Sequence, residues 1–419
     1  MKEGIYAGFG KAKIRLPKEL FPIEKFHGVQ DDLHVRVAYI HGNIAYVIVS
    51  IELTSLREYE MKVLKKIIQT YLGVEAQYVL LCVTHTFSAP HLRSLEALQK
   101  DANLYKKNEM LAHAIEEALQ QACEQVKKTV QQVQIGYGTG YCDCNVNRDM
   151  PTPFGYWLGK NEAGISDKQV PVLQFTSLDG ITLAYLYSYD AQPSIMEHGD
   201  EFVSGDLYGA SSSYIEQHSQ AIALYCLGAA GDQMPKEKAC AMVVENGQLI
   251  EKKDAEKGRR YLKLYGEQLG KSVLQTKITK DSASMMYDSL ITLSCRGQQR
   301  IEDIHSMQPV LTYTYIETKQ HTTSFVCICF HDIAIVAMKP ELCSSTAMQI
   351  KQASPFALTF VITMVDGGDK YMPDATSYDN FTYEARNSHY YKGSAEQARD
   401  EIIHQLYNMK DRIERREKR

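Results

Sequence analysis

The chain writes one pattern twice, and the pattern fixes strand geometry in both places. His34 to Ile51 alternates apolar residues through a Gly42-Asn43 turn and stops at Glu52-Leu53, with Thr54 and Ser55 following. Ser324 to Met338 does the same through His331-Asp332 and stops at Glu341-Leu342, with Ser344 and Ser345 following. Alternation with period two puts successive side chains on opposite faces of a sheet, so each copy reads as a hairpin ending in a carboxylate. Each copy is then followed by a crossover to a further strand, Tyr78 to Val83 before Thr84-His85-Thr86, and Leu358 to Met364 before Asp366-Gly367-Gly368-Asp369. Polar clusters beyond the carboxyl ends of buried strands are where α/β proteins keep their sites, which makes Glu52, His85, Glu341 and Asp366 the first candidates. Matched halves also predict that Glu52 and Glu341 stand at equivalent strand ends.

The rest of the chain alternates helix and strand signals. Apolar residues at helical spacing (Val63, Leu64, Ile67, Ile68; then Leu111, Ile115, Leu119, Val126) predict sheet-covering helices over Leu56 to Tyr71 and Leu104 to Val126. Gly205 to Ser219 and Lys252 to Thr276 read as further helices, and Val133 to Tyr137, Val170 to Phe175, Thr182 to Tyr189 and Ala221 to Leu227 as strands. Strands are expected again from Met286 to Ile316. No Pro/Gly/Ser linker interrupts this order. The expected fold is α/β, with mixed β sheets in two layers flanked by helices (αββα-like) and two pseudo-repeated halves. At 419 residues the chain exceeds the size at which one core stops growing. It reads as a single domain over 1–419, with approximate halves 1–275 and 285–419.

Bulk properties exclude several partners. The formal net charge of -5 argues against nucleic acid, and the basic tail from Arg412 to Arg419 is broken by Glu414 and Glu417, as in a solvated helix. Ten cysteines, with Cys82, Cys226, Cys327 and Cys329 inside apolar strands and no apolar leader, predict free thiols in a reducing cytoplasm. Cys142-Asp143-Cys144 has no second thiol pair at zinc spacing. No apolar run of 18 residues exists, so no membrane span is expected. Composition leaves the oligomeric state open.

Gly228-Ala229-Ala230-Gly231-Asp232-Gln233-Met234-Pro235 follows the strand ending at Leu227. Its small residues let the backbone turn sharply and approach another group closely. The run lacks the Lys-Ser/Thr end of a phosphate loop and the central serine of a nucleophile elbow. Asp232 is placed to orient a histidine or a water, Gly231 and Gln233 are candidate substrate contacts, and the loop is expected within side-chain reach of His85.

Taken in order, several segments resemble the N-terminal domain of the neutral/alkaline non-lysosomal ceramidases, a family of zinc amidases. They are Thr84-His85-Thr86-Phe87-Ser88-Ala89-Pro90, Asn145-Val146-Asn147-Arg148, Asp167 with Pro171-Val172-Leu173, Gln192-Pro193-Ser194-Ile195-Met196, Ser204-Gly205-Asp206, Gly231 to Pro235, Pro340-Glu341 and Tyr383-Glu384-Ala385. The resemblance spans nearly all 419 residues. It implies zinc ligands at His85, Glu341 and Tyr383, while the family's second ligand histidine falls on Gln192, a poor zinc ligand. Its nucleophilic serine falls on Met234, and its substrate-facing arginine on Arg148. His198 or His91 is near enough in sequence to supply a missing nitrogen.

With no serine nucleophile, the expected chemistry is attack by a metal-activated water on an amide or ester carbonyl. Arg148 would stabilise the oxyanion and Asp232 would position the water or a proton carrier. The substrate would be a small N-acylated compound or a lipid. The alternative is a catalytically inactive, ligand-binding descendant of the same fold. Without a metal, His85 is expected to bond Glu341 directly or through water, with Gln192 donating to the same carboxylate.

Overall fold

A computed structural model describes residues 4–197, 199–303 and 307–417. Two large sheets face each other. The nine-stranded sheet runs in the order Ile222–Leu227, Thr182–Tyr189, Gln169–Ser177, Gln131–Tyr141, Ile5–Lys13, His34–His41, Ala45–Ile51, Val79–Val83, with Thr279–Lys280 added on Gln131–Tyr141. The four-stranded sheet runs Tyr287–Gln298, Glu317–Cys329, Ile333–Met338, Leu358–Ile362.

Period-two alternation sorts the side chains into three apolar layers. Along Ala45–Ile51, Val47, Val49 and Ile51 face helices while Tyr46 and Ile48 face the other sheet. Along Ile333–Met338, Ile333, Ile335 and Ala337 enter the layer between the sheets, and Ala334, Val336 and Met338 enter the outer one. Both faces are covered, so these strands are apolar nearly throughout. The helices Ala102–Thr129, Asp206–Ser219 and Ala255–Gln275 supply Leu111, Ile115, Leu207, Leu262 and Leu269 to the layer outside the larger sheet. Ser344–Ala353 and Ser394–Glu417 supply Ala347, Ile350, Ile402 and Leu406 outside the smaller one. The architecture is the helix–sheet–sheet–helix arrangement expected from the sequence.

The repeat is real in topology. His34–His41 and Ala45–Ile51 form an antiparallel hairpin, the helix Glu58–Leu72 follows, and Val79–Val83 returns parallel to Ala45–Ile51. Glu317–Cys329 and Ile333–Met338, the helix Ser344–Ala353 and the parallel strand Leu358–Ile362 repeat that path. His85 and Met364 each leave the returning strand two residues past its end, with φ of 66° and 56°. The two carboxylates belong to matching strands but not to matching places: Glu52 directly follows its strand, whereas Glu341 stands three residues beyond Met338.

One strand expectation fails within 286–316. After Tyr287–Gln298 no strand begins among the described residues until Glu317. Polar Gln299, Arg300, Glu302 and Asp303 interrupt the alternation, and Tyr315 packs its ring 5.0 Å from Tyr378 instead of pairing its backbone in a sheet.

Candidate functional site

The strand ends meet in one place. Ser50 Oγ donates to Tyr225 O at 2.6 Å, and Thr363 N donates to Leu227 O at 2.8 Å, which draws the ends of Ala45–Ile51, Ile222–Leu227 and Leu358–Ile362 together. Just beyond such ends lie His85, Gln192 and Glu341. His85 is held in the left-handed region while its N–H donates to Leu53 O at 2.9 Å. Its Nδ1 donates to Thr54 O at 2.6 Å, because a carbonyl only accepts. In the neutral imidazole this leaves Nε2 with a lone pair, and that atom stands 3.9 Å from Glu341 Oε2. The distance is too long for a direct hydrogen bond. Phe87 sets its ring 4.8 Å from the imidazole.

Glu341 is 2% exposed and accepts from Gln192 Nε2 at 2.9 Å through its other oxygen. The Gln192 oxygen accepts in turn from Arg148 Nη1. Arg148 donates from Nε to Glu384 Oε1 at 2.7 Å, and Glu384 is fully buried. Burial alone would lower the guanidinium pKa, but Glu384, Tyr371 and Glu341 outweigh it and hold the charge. The rings of Tyr371 and Tyr383 lie 5.4 Å and 5.7 Å from the Arg148 cation, and Trp157 closes against Tyr383 at 5.9 Å. Burial first, and the neighbouring Glu384 carboxylate second, push the Asp149 pKa well up.

The Gly228–Pro235 loop packs beside this centre from the backbone side. Gly231 N donates to Leu342 O at 2.9 Å, and Gln192 N donates to Gln233 O at 3.2 Å. Asp232 accepts from Ser344 N at 2.8 Å and Asn147 Nδ2 at 3.0 Å, so its carboxylate ties the loop to the helix beginning at Ser344. Burial pushes the Asp232 pKa up to about 7. The Gln233 amide is engaged with Ser166 Oγ and Ile165 O, and Met234 pairs in register with Val146.

Other sequence candidates lie elsewhere. Glu52 pairs with Arg36 at 2.5 Å in a buried network that includes Glu216. Asp366 pairs with Lys65 at 2.8 Å, and His91 with Glu24 at 2.9 Å. His198 lies outside the described residues. Glu384, Asp149 and Tyr371 carry the electrostatics of the centre and were not singled out from the sequence. The available signal was adjacency, since Asp149 follows Arg148 and Glu384 follows Tyr383.

A zinc ion does not fit the side chains around Glu341 as they stand. Catalytic zinc takes three protein donors at about 2.0–2.3 Å and structural zinc four. Here one imidazole nitrogen and one carboxylate oxygen are on offer. Gln192 turns its amide nitrogen to Glu341 and its oxygen to Arg148. The Tyr383 hydroxyl accepts from Asn387 at 3.2 Å, and Arg148 already sets a positive charge beside Glu341. A different group, Asp281, His331 and Asp332, has ligand atoms within 4.8 Å of one another and could hold a metal ion. It sits at the hairpin turn, at the opposite end of Ile333–Met338 from Glu341. There Asp281 already accepts from Asp332 N, and Lys410 already bonds Asp332.

No protein-family model matches the sequence, and no curated protein matches it. Among solved structures the chain is similar to the neutral ceramidase of Pseudomonas aeruginosa, with a TM-score of 0.74 at 14% identity over 98% of this chain and 75% of that one. It is similar to a ceramidase complexed with C2, with a TM-score of 0.73 at 14% identity over 98% of this chain and 76% of that one. At this identity the likeness establishes a shared fold: this chain folds like a neutral ceramidase.

Proposed function

We propose that the chain is a hydrolase of an amide or ester bond in a small N-acylated compound or lipid, with His85 as general base. One observation carries the reading: two acceptor atoms, His85 Nε2 and Glu341 Oε2, face each other across 3.9 Å. Such a pair needs a donor between them, and a water placed there gives a hydrogen to each while keeping its lone pairs for attack. His85 takes the proton as the water attacks. Arg148, whose Nη2 stands 2.5 Å from Glu384 Oε1, would bring its positive charge to the developing oxyanion. The metal-dependent form of the same chemistry would require donors that Gln192 and Tyr383 do not present.

The test is an activity screen on N-acyl amides and esters with a chelator present throughout. We expect turnover that falls by about 10²–10⁴-fold in His85→Ala, the usual contribution of a general base. Absence of turnover across the panel, or turnover only without chelator, would overturn the assignment. The second reading, a binding protein, is favoured by the Arg148–Gln192–Glu341 chain, which satisfies the buried groups without substrate. It predicts saturable binding of those compounds with none hydrolysed.

A further inference from the structure

We propose that Cys142 and Cys144 form an oxidisable dithiol that closes to a disulfide when a hydroperoxide supplies the oxidant. All ten cysteines are free and buried, but this pair holds its sulfur atoms 3.2 Å apart. The two lie in Cys142-Asp143-Cys144, the link between the strands Gln131–Tyr141 and Asn145–Thr152. The link lies outside the sheet ladders, although Cys142 N donates to Lys168 O at 2.9 Å and Cys144 O accepts from Lys236 N at 2.8 Å, and closing the bond asks the two side chains to cover the roughly 1 Å that separates contact from a bond of about 2.05 Å. Cys82 and Cys226 also touch, but both stand on strands facing the layer between the sheets. Joining them would require two strands to move in a close-packed core.

The surroundings suit a reactive sulfur. Cys142 is held below the ordinary thiol range by its hydrogen bond with Cys144, against opposing burial. Asp143 between them is exposed and brings Lys168 and Lys236 alongside. Both sulfurs are buried, at 3% and 0% exposure for their residues, which favours an oxidant as small as hydrogen peroxide. The Cys142 thiolate attacks one peroxide oxygen; the S–O bond forms, the O–O bond breaks, and hydroxide leaves to take up a proton. Cys144 then attacks the sulfenic sulfur as its thiol proton passes to the departing oxygen; the S–S bond forms, the S–O bond breaks, and a second water leaves. Two thiols and one peroxide thus become one disulfide and two waters.

The link is wired to the candidate site. The Tyr189 hydroxyl donates to Cys142 O at 2.7 Å and accepts from Cys144 N and Asn145 N, both at 3.0 Å. Cys144 O accepts from Lys236 N at 2.8 Å, one residue past the Gly228–Pro235 loop. Four residues after Cys144 comes Arg148. Closing the disulfide displaces the backbone that Tyr189 holds and loosens the strand that carries the guanidinium.

The experiment treats the full chain with hydrogen peroxide, denatures it, and alkylates it with N-ethylmaleimide before tryptic mapping. The peptide from Thr129 to Arg148 contains these two cysteines and no other. We expect it to lose both adducts, to be lighter by two hydrogens, and to recover both adducts after dithiothreitol. In Cys144→Ser we expect a dimedone-trapped sulfenic acid on Cys142. Hydrogen exchange over Asn145 to Arg148 should speed up in the oxidised form. A wild-type peptide that keeps both adducts, that carries sulfinic acid, or that stays reduced while Cys82 and Cys226 become linked would overturn the proposal. Unchanged exchange would overturn its connection to Arg148.

Discussion

Gln192 joins the two charged groups of the centre, donating its amide nitrogen to Glu341 at 2.9 Å while its oxygen accepts from Arg148. The side chain therefore presents a donor N–H, and not a lone pair, to the carboxylate. Replacing it with an imidazole removes the bridge and adds a nitrogen lone pair. Gln192→His should gain a calorimetric zinc-binding signal beyond any that the Asp281–His331–Asp332 group gives in the wild type, and His85→Ala in the same background should remove that gain. An equal signal in the wild type would show that the donor set was misjudged.

Arg148 and Glu384 form a pair in which each compensates the other's burial. Arg148 is 6% exposed and Glu384 is fully buried. Removing one partner of such a pair strands the other charge, at a cost of about 3–5 kcal/mol, whereas replacing both with apolar groups is far cheaper. Urea denaturation of Arg148→Met, Glu384→Leu and the double variant should show the double losing less than the sum of the singles. Additive losses would mean that the two side chains are not energetically coupled.

Much of this architecture was legible in the sequence, because period-two alternation in strands such as Ile333–Met338 is imposed by the same burial that the fold requires. The gathering of His85 and Glu341 was legible too, since both follow strands of the repeated unit. The Arg148–Glu384 pair was not, because the residues are 236 positions apart and nothing in local pattern reports on such a meeting. The fate of Glu52 was hidden for a related reason: Arg36, two positions into the same hairpin, looks like any outward polar residue until Glu216 is folded against it.

Buried carboxylates give the stability a pH dependence with two opposed windows. Glu60 is 1% exposed; burial first, and Glu116 second, raise its pKa from 4.5 to about 7. The folded state then keeps a proton that the unfolded state releases, so stability falls as pH rises through that interval. Glu52 is shifted the other way: burial opposes, but Arg36 and His34 prevail and bring it to about 2. Its contribution is present above 4.5 and is lost as pH falls toward 2. Glu60→Gln should make the neutral limb, to which Asp232 also contributes, shallower and leave the acid limb unchanged, gaining up to about 3 kcal/mol at pH 8. Denaturation midpoints across pH 3 to 8 that keep the wild-type slope in this variant would sink the assignment.

The last expectation concerns how the glycine-rich loop sets the position of Glu341. A Cβ added at Gly231 would stand 2.8 Å from Leu342 O and 3.1 Å from Leu342 C, with Glu341 O at 3.4 Å. These are backbone atoms, which cannot rotate aside as a side chain would. The φ of Gly231 is not among the positive ones, so the constraint is space and not backbone conformation. Gly231→Ala should therefore push the Glu341-Leu342 backbone away from the loop, strain the Gly231 N to Leu342 O bond, and cost about 1–3 kcal/mol as overpacking does. If His85 and Glu341 hold the attacking water between them, the same displacement lowers turnover beyond what the loss of folded protein explains. Thermal unfolding and specific activity measured on one preparation separate the two effects. An alanine variant as stable and as active as the wild type would show that the loop is free to yield and does not position Glu341.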